Sequence, residues 1–187
     1  DKINIINVWE ELRISIEKNG GKFISPIWSY YLNDKPIPKS YPKWKQKLIE
    51  KNKIFYHENR EIIDEWKNKY NSLKFTSRSN RKFEWNASTS IKSVWDGIIQ
   101  FRPSGIRVKN NKCFPTFVAI NQTPIIGKYK RYITPLEISK LYGFKDLKLD
   151  LKDDKQSYKQ LGNTVCVDIV EYIIRQLFNN YENGGDL

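Results

Sequence analysis

Residues Ile98 to Lys109 read IIQFRPSGIRVK, two β-branched and aromatic runs separated by a Pro-Ser-Gly turn. In the tetrad Arg102 to Gly105, Pro holds the second position and Gly the fourth, which suits a type I turn joining two strands. Strand alternation sends Ile106 and Val108 to one side and Arg107 and Lys109 to the other. The stretch therefore predicts a hairpin that packs one face on a core and presents a basic edge with a small turn tip. KFEWNA before it (Lys82 to Ala87) and FPTFVAI after it (Phe114 to Ile120) have the composition of further short strands.

Around these strands the pattern turns helical. Ile5, Trp9, Leu12 and Ile16 recur at helical spacing, and Gly20-Gly21 ends that run. Phe23 to Pro42 is rich in Pro and aromatics and reads as irregular structure. From Lys43 to Tyr70 a loose stripe of Trp44, Leu48, Phe55, Ile62, Trp66 and Tyr70 predicts one long helix or two shorter ones. In ITPLEISKLYGF, Thr134 is an N-cap, Pro135 suits the first helical position, Glu137 completes a capping box and Gly143 stops the helix. A last helix, Val165 to Phe178, gathers Cys166, Ile169, Val170, Ile173, Ile174 and Leu177 on one face and reads as core-packing, with Gly162-Asn163-Thr164 forming its amino terminus. The fold class expected is α+β, a small mixed sheet with a hairpin and several helices.

Composition narrows the function. At 187 residues, 39% hydrophobic and 14% aromatic, the chain can bury a real core. A net charge of +12 favours a polyanionic partner, nucleic acid first. The ten Lys and three Arg between Lys39 and Lys82 face only four Glu and one Asp, which fits either a solvated helix face or a phosphate-contacting surface. Two cysteines are too few for a disulfide framework, and a single histidine excludes clustered zinc ligands, so no metal is expected and a reducing, cytoplasmic setting fits. No run of 18 or more apolar residues suggests a membrane span, and the start lacks a signal-peptide core. The absence of Met and an Asp at position 1 suggest a piece cut from something longer.

Two tracts then carry a specific pattern. RYITPLEISKLYGF (Arg131 to Phe144) and, 14 positions on, YKQLGNTVCVDIVEYI (Tyr158 to Ile173) resemble the last two conserved motifs of DNA (cytosine-5) methyltransferases. Their usual forms are Arg-x-Leu-Thr-Pro-Arg-Glu…Leu-Gln-Gly-Phe and Tyr-Lys-Gln-Leu-Gly-Asn-Ser-Val. IIQFRPSGIRVK and FPTFVAI match more weakly. This sequence departs at Leu136 for Arg, Tyr142 for Gln, Lys145 for Pro and Thr164 for Ser, and the lost Arg puts in doubt any salt bridge it would make.

The resemblance implies a division into a DNA-binding target-recognition region, 1–130, and carboxy-terminal motifs, 131–187. The latter would pack on a Rossmann-like methyltransferase domain absent from this chain. It implies that Asn163, Thr164 and Val165 line an S-adenosylmethionine pocket, where a helix amino terminus would favour a carboxylate-bearing ligand. It implies that about residues 20–125 lie in the major groove of double-stranded DNA while the target cytosine is flipped out. Aligned through Pro115-Thr116-Phe117, Arg107 falls where a base-reading Arg can stand, and Thr116 joins the DNA-binding set. Ser104 would approach the space left by the flipped base, and Arg102 and Lys109 would hold phosphates. A solvated hairpin is the bland reading of the same residues.

The family's remaining parts have no counterpart in this sequence. No two glycines stand two apart for its Phe-x-Gly-x-Gly cofactor loop, and neither Cys113 nor Cys166 follows Pro as its nucleophile does. Glu58-Asn59-Arg60 mimics its Glu-Asn-Val acid, but with the wrong third residue on a charged helix. No catalytic residue is therefore expected here, and the chain would be inactive without the amino-terminal catalytic part of the same enzyme or a separate catalytic subunit. A restriction-modification system is the expected setting. Two other readings stay open: the small subunit of a split enzyme, and a DNA-binding module without chemistry. An RNA-binding protein would rest on charge and aromatics alone.

Overall fold

The computed structural model describes residues 1–87, 90–119, 122–144 and 153–182. The described chain divides into two compact units, residues 1–115 with 124–131, and residues 116–123 with 132–187. The sheet follows the order β1-β2-β4-β3-β5-β6, formed by Ile27–Trp28 (β1), Lys82–Asn86 (β2), Ile98–Arg102 (β3), Gly105–Lys109 (β4), Ile125–Ile126 (β5) and Arg131–Tyr132 (β6). It is mixed: β3 and β4 form the expected antiparallel hairpin, while β2 runs parallel to β4. Interposing β4 between β2 and β3 makes the hairpin's second strand interior. The basic edge expected from the sequence is therefore a basic strip on a sheet face.

Three helices cover the other face of the first unit. Lys2–Lys18 (α1) buries Ile5, Trp9, Leu12 and Ile16, the stripe that its spacing predicts. Trp9 stacks on Phe83 of β2 with ring centroids 5.1 Å apart and tilts against Trp66 at 5.3 Å. The Lys43 to Tyr70 stripe resolves into two helices, Lys43–Glu58 (α2) and Arg60–Lys69 (α3). Phe55 and Trp66 are buried as expected, whereas Trp44 is exposed, because it precedes the turn of α2 that reaches the core. Trp66 Nε1 donates to the Val8 carbonyl at 2.8 Å and so ties α3 to α1. Buried Phe83, Ile99, Ile106, Val108 and Ile125 supply the sheet's share of the core. Such large side chains each contribute about 1.5–3 kcal/mol on burial.

The irregular segment before α2 contains β1, which its composition hides. Lys51, Lys53 and Lys67 donate to the carbonyls of Ser25, Lys35 and Leu32. Part of the basic excess of this region is thus spent pinning the loop to the helices.

The second unit holds Pro135–Leu141 (α4), Asp154–Gly162 (α5) and Val167–Glu182 (α6). Thr134 and Glu137 form the reciprocal capping box, Pro135 opens α4, and Gly143 follows it at φ +79°. Three expectations change here. FPTFVAI forms no strand over its described residues, 114–119, and Ile120, like Lys145, lies outside the described residues. Pro115 has no N–H for a ladder, and Val118 and Ala119 run against Gly162 instead: a Cβ there would come within 2.4 Å of the Ala119 nitrogen. Second, Gly162-Asn163-Thr164 is the carboxy-terminal end of α5, since α6 begins at Val167. Third, the apolar face of α6 is not packed into a core, as Ile169, Ile173, Leu177 and Phe178 are all half or more exposed.

Candidate nucleic-acid interface

The hairpin positions its polar side chains by register. Arg102 pairs with Gly105, leaving Pro103 and Ser104 as a two-residue connection, and Ser104 is exposed at its tip. Gly105 adopts φ +137°, and a Cβ there would stand 2.8 Å from that of Lys82, so the position requires glycine. Ile106 and Val108 are fully buried, which leaves Arg107 and Lys109 on the opposite face, as alternation predicts.

Strand pairing extends that polar face in three rows. Lys82, Glu84 and Asn86 of β2 lie beside Gly105, Arg107 and Lys109 of β4, and Gln100 and Arg102 of β3 lie on the far side. Glu84 sits at the centre. Its Oε2 accepts from Arg107 Nε at 2.8 Å and its Oε1 from Arg102 Nη2 at 2.6 Å. The Arg102 side chain is only 14% exposed and its Nε is buried without a hydrogen-bond partner. Arg107 keeps 32% of its side chain exposed. The two arginines expected to meet DNA thus differ: Arg107 reaches solvent, whereas Arg102 is largely sunk against Glu84.

At the hairpin-tip end of the sheet, Lys82 continues the row onto Trp28, with its ammonium 4.6 Å above the ring. Trp28 packs against Tyr30 and Tyr31, and the Arg78 guanidinium lies 4.9 Å from the Tyr30 ring. Burial pushes the Tyr30 and Tyr31 phenols up, that of Tyr31 to about 12 with help from a hydrogen bond to Tyr41. Both phenols stay neutral through the physiological range, and Tyr30, like Trp28, carries a cation against its ring. Basic and aromatic groups on one surface are the composition that binds a polyanion bearing flat bases.

The remaining predicted residues belong to the second unit. Thr116 is exposed there. Asn163 caps the carboxy-terminal end of α5, with its N–H donating to the Gln160 carbonyl, and the Thr164 N–H and hydroxyl are both directed to Leu161. The free N–H donors expected of a helix amino terminus are therefore not at these residues. What they offer is an exposed Asn163 side chain beside Val165, itself well exposed. A pair of this kind can form one wall of a pocket for a ligand with polar and apolar parts, and no more.

The central place of Glu84 was not read from the sequence. Lys82, Glu84 and Asn86 alternate visibly in KFEWN, but nothing in the sequence announces a parallel pairing with Gly105–Lys109. Among the described residues no three metal-ligating side chains gather, and none of the helices is long and apolar enough to cross a membrane.

The family model for C-5 cytosine-specific DNA methylase matches residues 15–179, and the chain belongs to that family. It is 35% identical over 145 residues to the Type II methyltransferase M.AluI of Cellulosimicrobium cellulans, covering 75% of this chain and 27% of that protein. It is 47% identical over 53 residues to the Type II methyltransferase M.BanI of Aneurinibacillus aneurinilyticus, 28% of this chain and 12% of the relative. A third, the Type II methyltransferase M.NlaX of Neisseria lactamica, is 43% identical over 51 residues, 27% of this chain and 16% of the relative. The chain spans about a quarter or less of the length of these relatives. No solved structure matches it.

Proposed function

We propose that this chain is the target-recognition and carboxy-terminal portion of a DNA cytosine-5 methyltransferase of a restriction-modification system. Its first unit binds double-stranded DNA through the polar sheet face, and its second unit completes a catalytic domain carried elsewhere. The observation that carries the reading is the outward row of Lys82, Arg107 and Lys109 beside the exposed Ser104 tip, in a chain of net charge +12. Arg107 reads a guanine edge through paired donors, Lys109 holds a phosphate, Ser104 approaches the space of the flipped cytosine, and Thr116 adds a DNA contact. Arg102 contributes charge from a more buried position.

Asn163, Thr164 and Val165 supply one wall of the S-adenosylmethionine pocket. The cofactor, when bound, supplies the methyl group. The glycine turn and the Pro-Cys nucleophile come from the amino-terminal part of the same enzyme or a separate subunit, since neither motif occurs in this sequence. The exposed apolar face of α6 supports this reading over a self-sufficient DNA-binding module, which would have covered such a face.

The test is complementation. The purified chain is mixed with a polypeptide bearing the family's glycine loop and Pro-Cys, and methyl transfer to duplex DNA is followed with labelled cofactor. Transfer only in the mixture supports the proposal. A chain that neither binds duplex DNA nor restores transfer with any such partner would overturn it.

A further inference from the structure

We propose that Glu84 is a positioning residue for base recognition, and that it sets which of two neighbouring arginines reads DNA. The inference rests on the reading of Arg107 as the base-contacting residue.

The Glu84 carboxylate divides itself between two guanidinium groups. Glu84 holds Arg107 by Nε, the nitrogen on the flank of the guanidinium. The two terminal nitrogens of Arg107 make no hydrogen bond among the described residues. Those two donors are the pair that can meet guanine O6 and N7 together. Held by its flank between rigid strands, Arg107 has fewer rotamers to lose on binding, so more of the contact is available for discrimination. Arg102, by contrast, is held through a terminal nitrogen, which removes one arm of its own fork. The same carboxylate thus orients one arginine outward and occupies the other. It also offsets one of two adjacent positive charges, which keeps the site from binding every phosphate backbone indiscriminately.

Register secures the arrangement. Glu84 and Arg107 are direct partners in the parallel ladder, and Arg107 and Gln100 are direct partners in the hairpin. Gln100 is buried, so the base of the Arg107 side chain is walled on both flanks by fixed strands.

The experiment selects duplexes from a randomised pool with the 187-residue chain and compares Glu84→Gln, Glu84→Asp, Arg107→Ala and the double variant Glu84→Gln/Arg107→Ala. The unaltered chain is expected to prefer guanine at one position. Glu84→Gln should lose roughly tenfold of that preference, within the range a bidentate arginine contact supplies, while binding scrambled duplex more tightly with a steeper salt dependence. The double variant should be no less selective than Arg107→Ala alone. Glu84→Asp keeps the charge but is one methylene short, so it should retain the original salt dependence and still lose base preference. Folding of each variant is checked by circular dichroism and melting. A folded Glu84→Gln or Glu84→Asp protein with undiminished guanine preference would overturn the positioning role while leaving Arg107 as the reader. Undiminished preference in Arg107→Ala, or no preference in the unaltered chain, would overturn both this inference and the reading it rests on.

Discussion

Asn52, in the middle of a lysine-rich helix, accepts the backbone N–H of Trp28 at 2.8 Å through its Oδ1, and its amide donates to the carbonyls of Pro26 and Leu48. The side chain is fully buried. It provides a ladder-like partner to a two-residue strand that would otherwise have few, and so anchors the sheet's β1 edge to α2. Replacing it with Leu keeps most of the volume but leaves buried backbone groups unpaired. Asn52→Leu should cost about 1–3 kcal/mol in a urea titration, and hydrogen exchange at Trp28 should quicken. An unchanged midpoint would mean that water replaces the amide without penalty.

Gly162 reads in the sequence as part of the amino terminus of the last helix, yet its closest neighbours are backbone atoms of Val118 and Ala119 at 2.4 Å from where a Cβ would stand. Backbone cannot swing aside as a side chain can. Gly162→Ala should therefore destabilise the second unit by about 1–3 kcal/mol and open residues 116–119 to limited proteolysis. Cleavage rates equal to those of the unaltered chain would show that the segment is held by other contacts.

Alkaline pH should weaken the first unit. Burial raises Tyr30, Tyr31, Tyr56 and Tyr70, reinforced at Tyr56 by Asp64 and at Tyr70 by Glu11, whose carboxylates accept from the phenols. A raised phenol prefers its neutral form in the folded state. Its contribution is complete below the ordinary value of 10.0 and is lost as pH rises through the folded value, about 12 for Tyr31. Melting temperature should thus be level up to about pH 9 and fall steeply between about pH 10 and 12, in step with tyrosinate absorbance. A flat profile over that window would contradict the placement of these rings.

How much of this was legible depended on whether the signal was local. The hairpin declared itself because Pro103 and Gly105 lie within four residues of each other, and the Thr134–Glu137 capping box is likewise a short-range device. The parallel register of Glu84 with Arg107 was not legible, since β4 and β2 are joined through β3 and no residue type marks a parallel neighbour. Nothing local in the sequence singles out Asn52, because its partner, the Trp28 backbone, is 24 positions away. The Gly-Asn-Thr tract misled in a different way: a turn composition is compatible with either end of a helix, and only the preceding Asp153 cap, accepting from Lys155 and Gln156, fixes it as the end of α5. Periodicity marked the apolar residues of α6 but also read them as core-packing, which their exposure overturns.

On DNA, Lys109 and Arg107 should behave differently despite lying two residues apart on one strand. Lys109 is a flexible point charge suited to a phosphate, so Lys109→Ala should weaken every duplex about equally and reduce the salt slope by about 0.9. Arg107→Ala should remove about 1–3 kcal/mol of preference at a single base pair. Titrations on a selected and a scrambled duplex at two salt concentrations separate these outcomes. Equal losses from Arg107→Ala on both duplexes would assign Arg107 to the backbone instead.

Helix α6 leaves Ile173 and Leu177 each 50% exposed. On its other side Glu171 and Arg175 form an i, i+4 ion pair at 2.7 Å, the arrangement of a helix flank that faces water. A stripe of β-branched and aliphatic residues opposite such a flank is suited to burial against a partner. If that partner is the proposed catalytic part, charges on the stripe should be nearly neutral in the chain alone and damaging in the assembly. Ile173→Glu with Leu177→Glu should change the stability of the isolated chain by under about 0.5 kcal/mol. The same pair should abolish methyl transfer in the complementation mixture while DNA binding by the first unit persists. A cost of several kcal/mol in the isolated chain, as large-to-small changes in a core produce, would mean instead that α6 folds onto its own chain and that the catalytic part docks elsewhere.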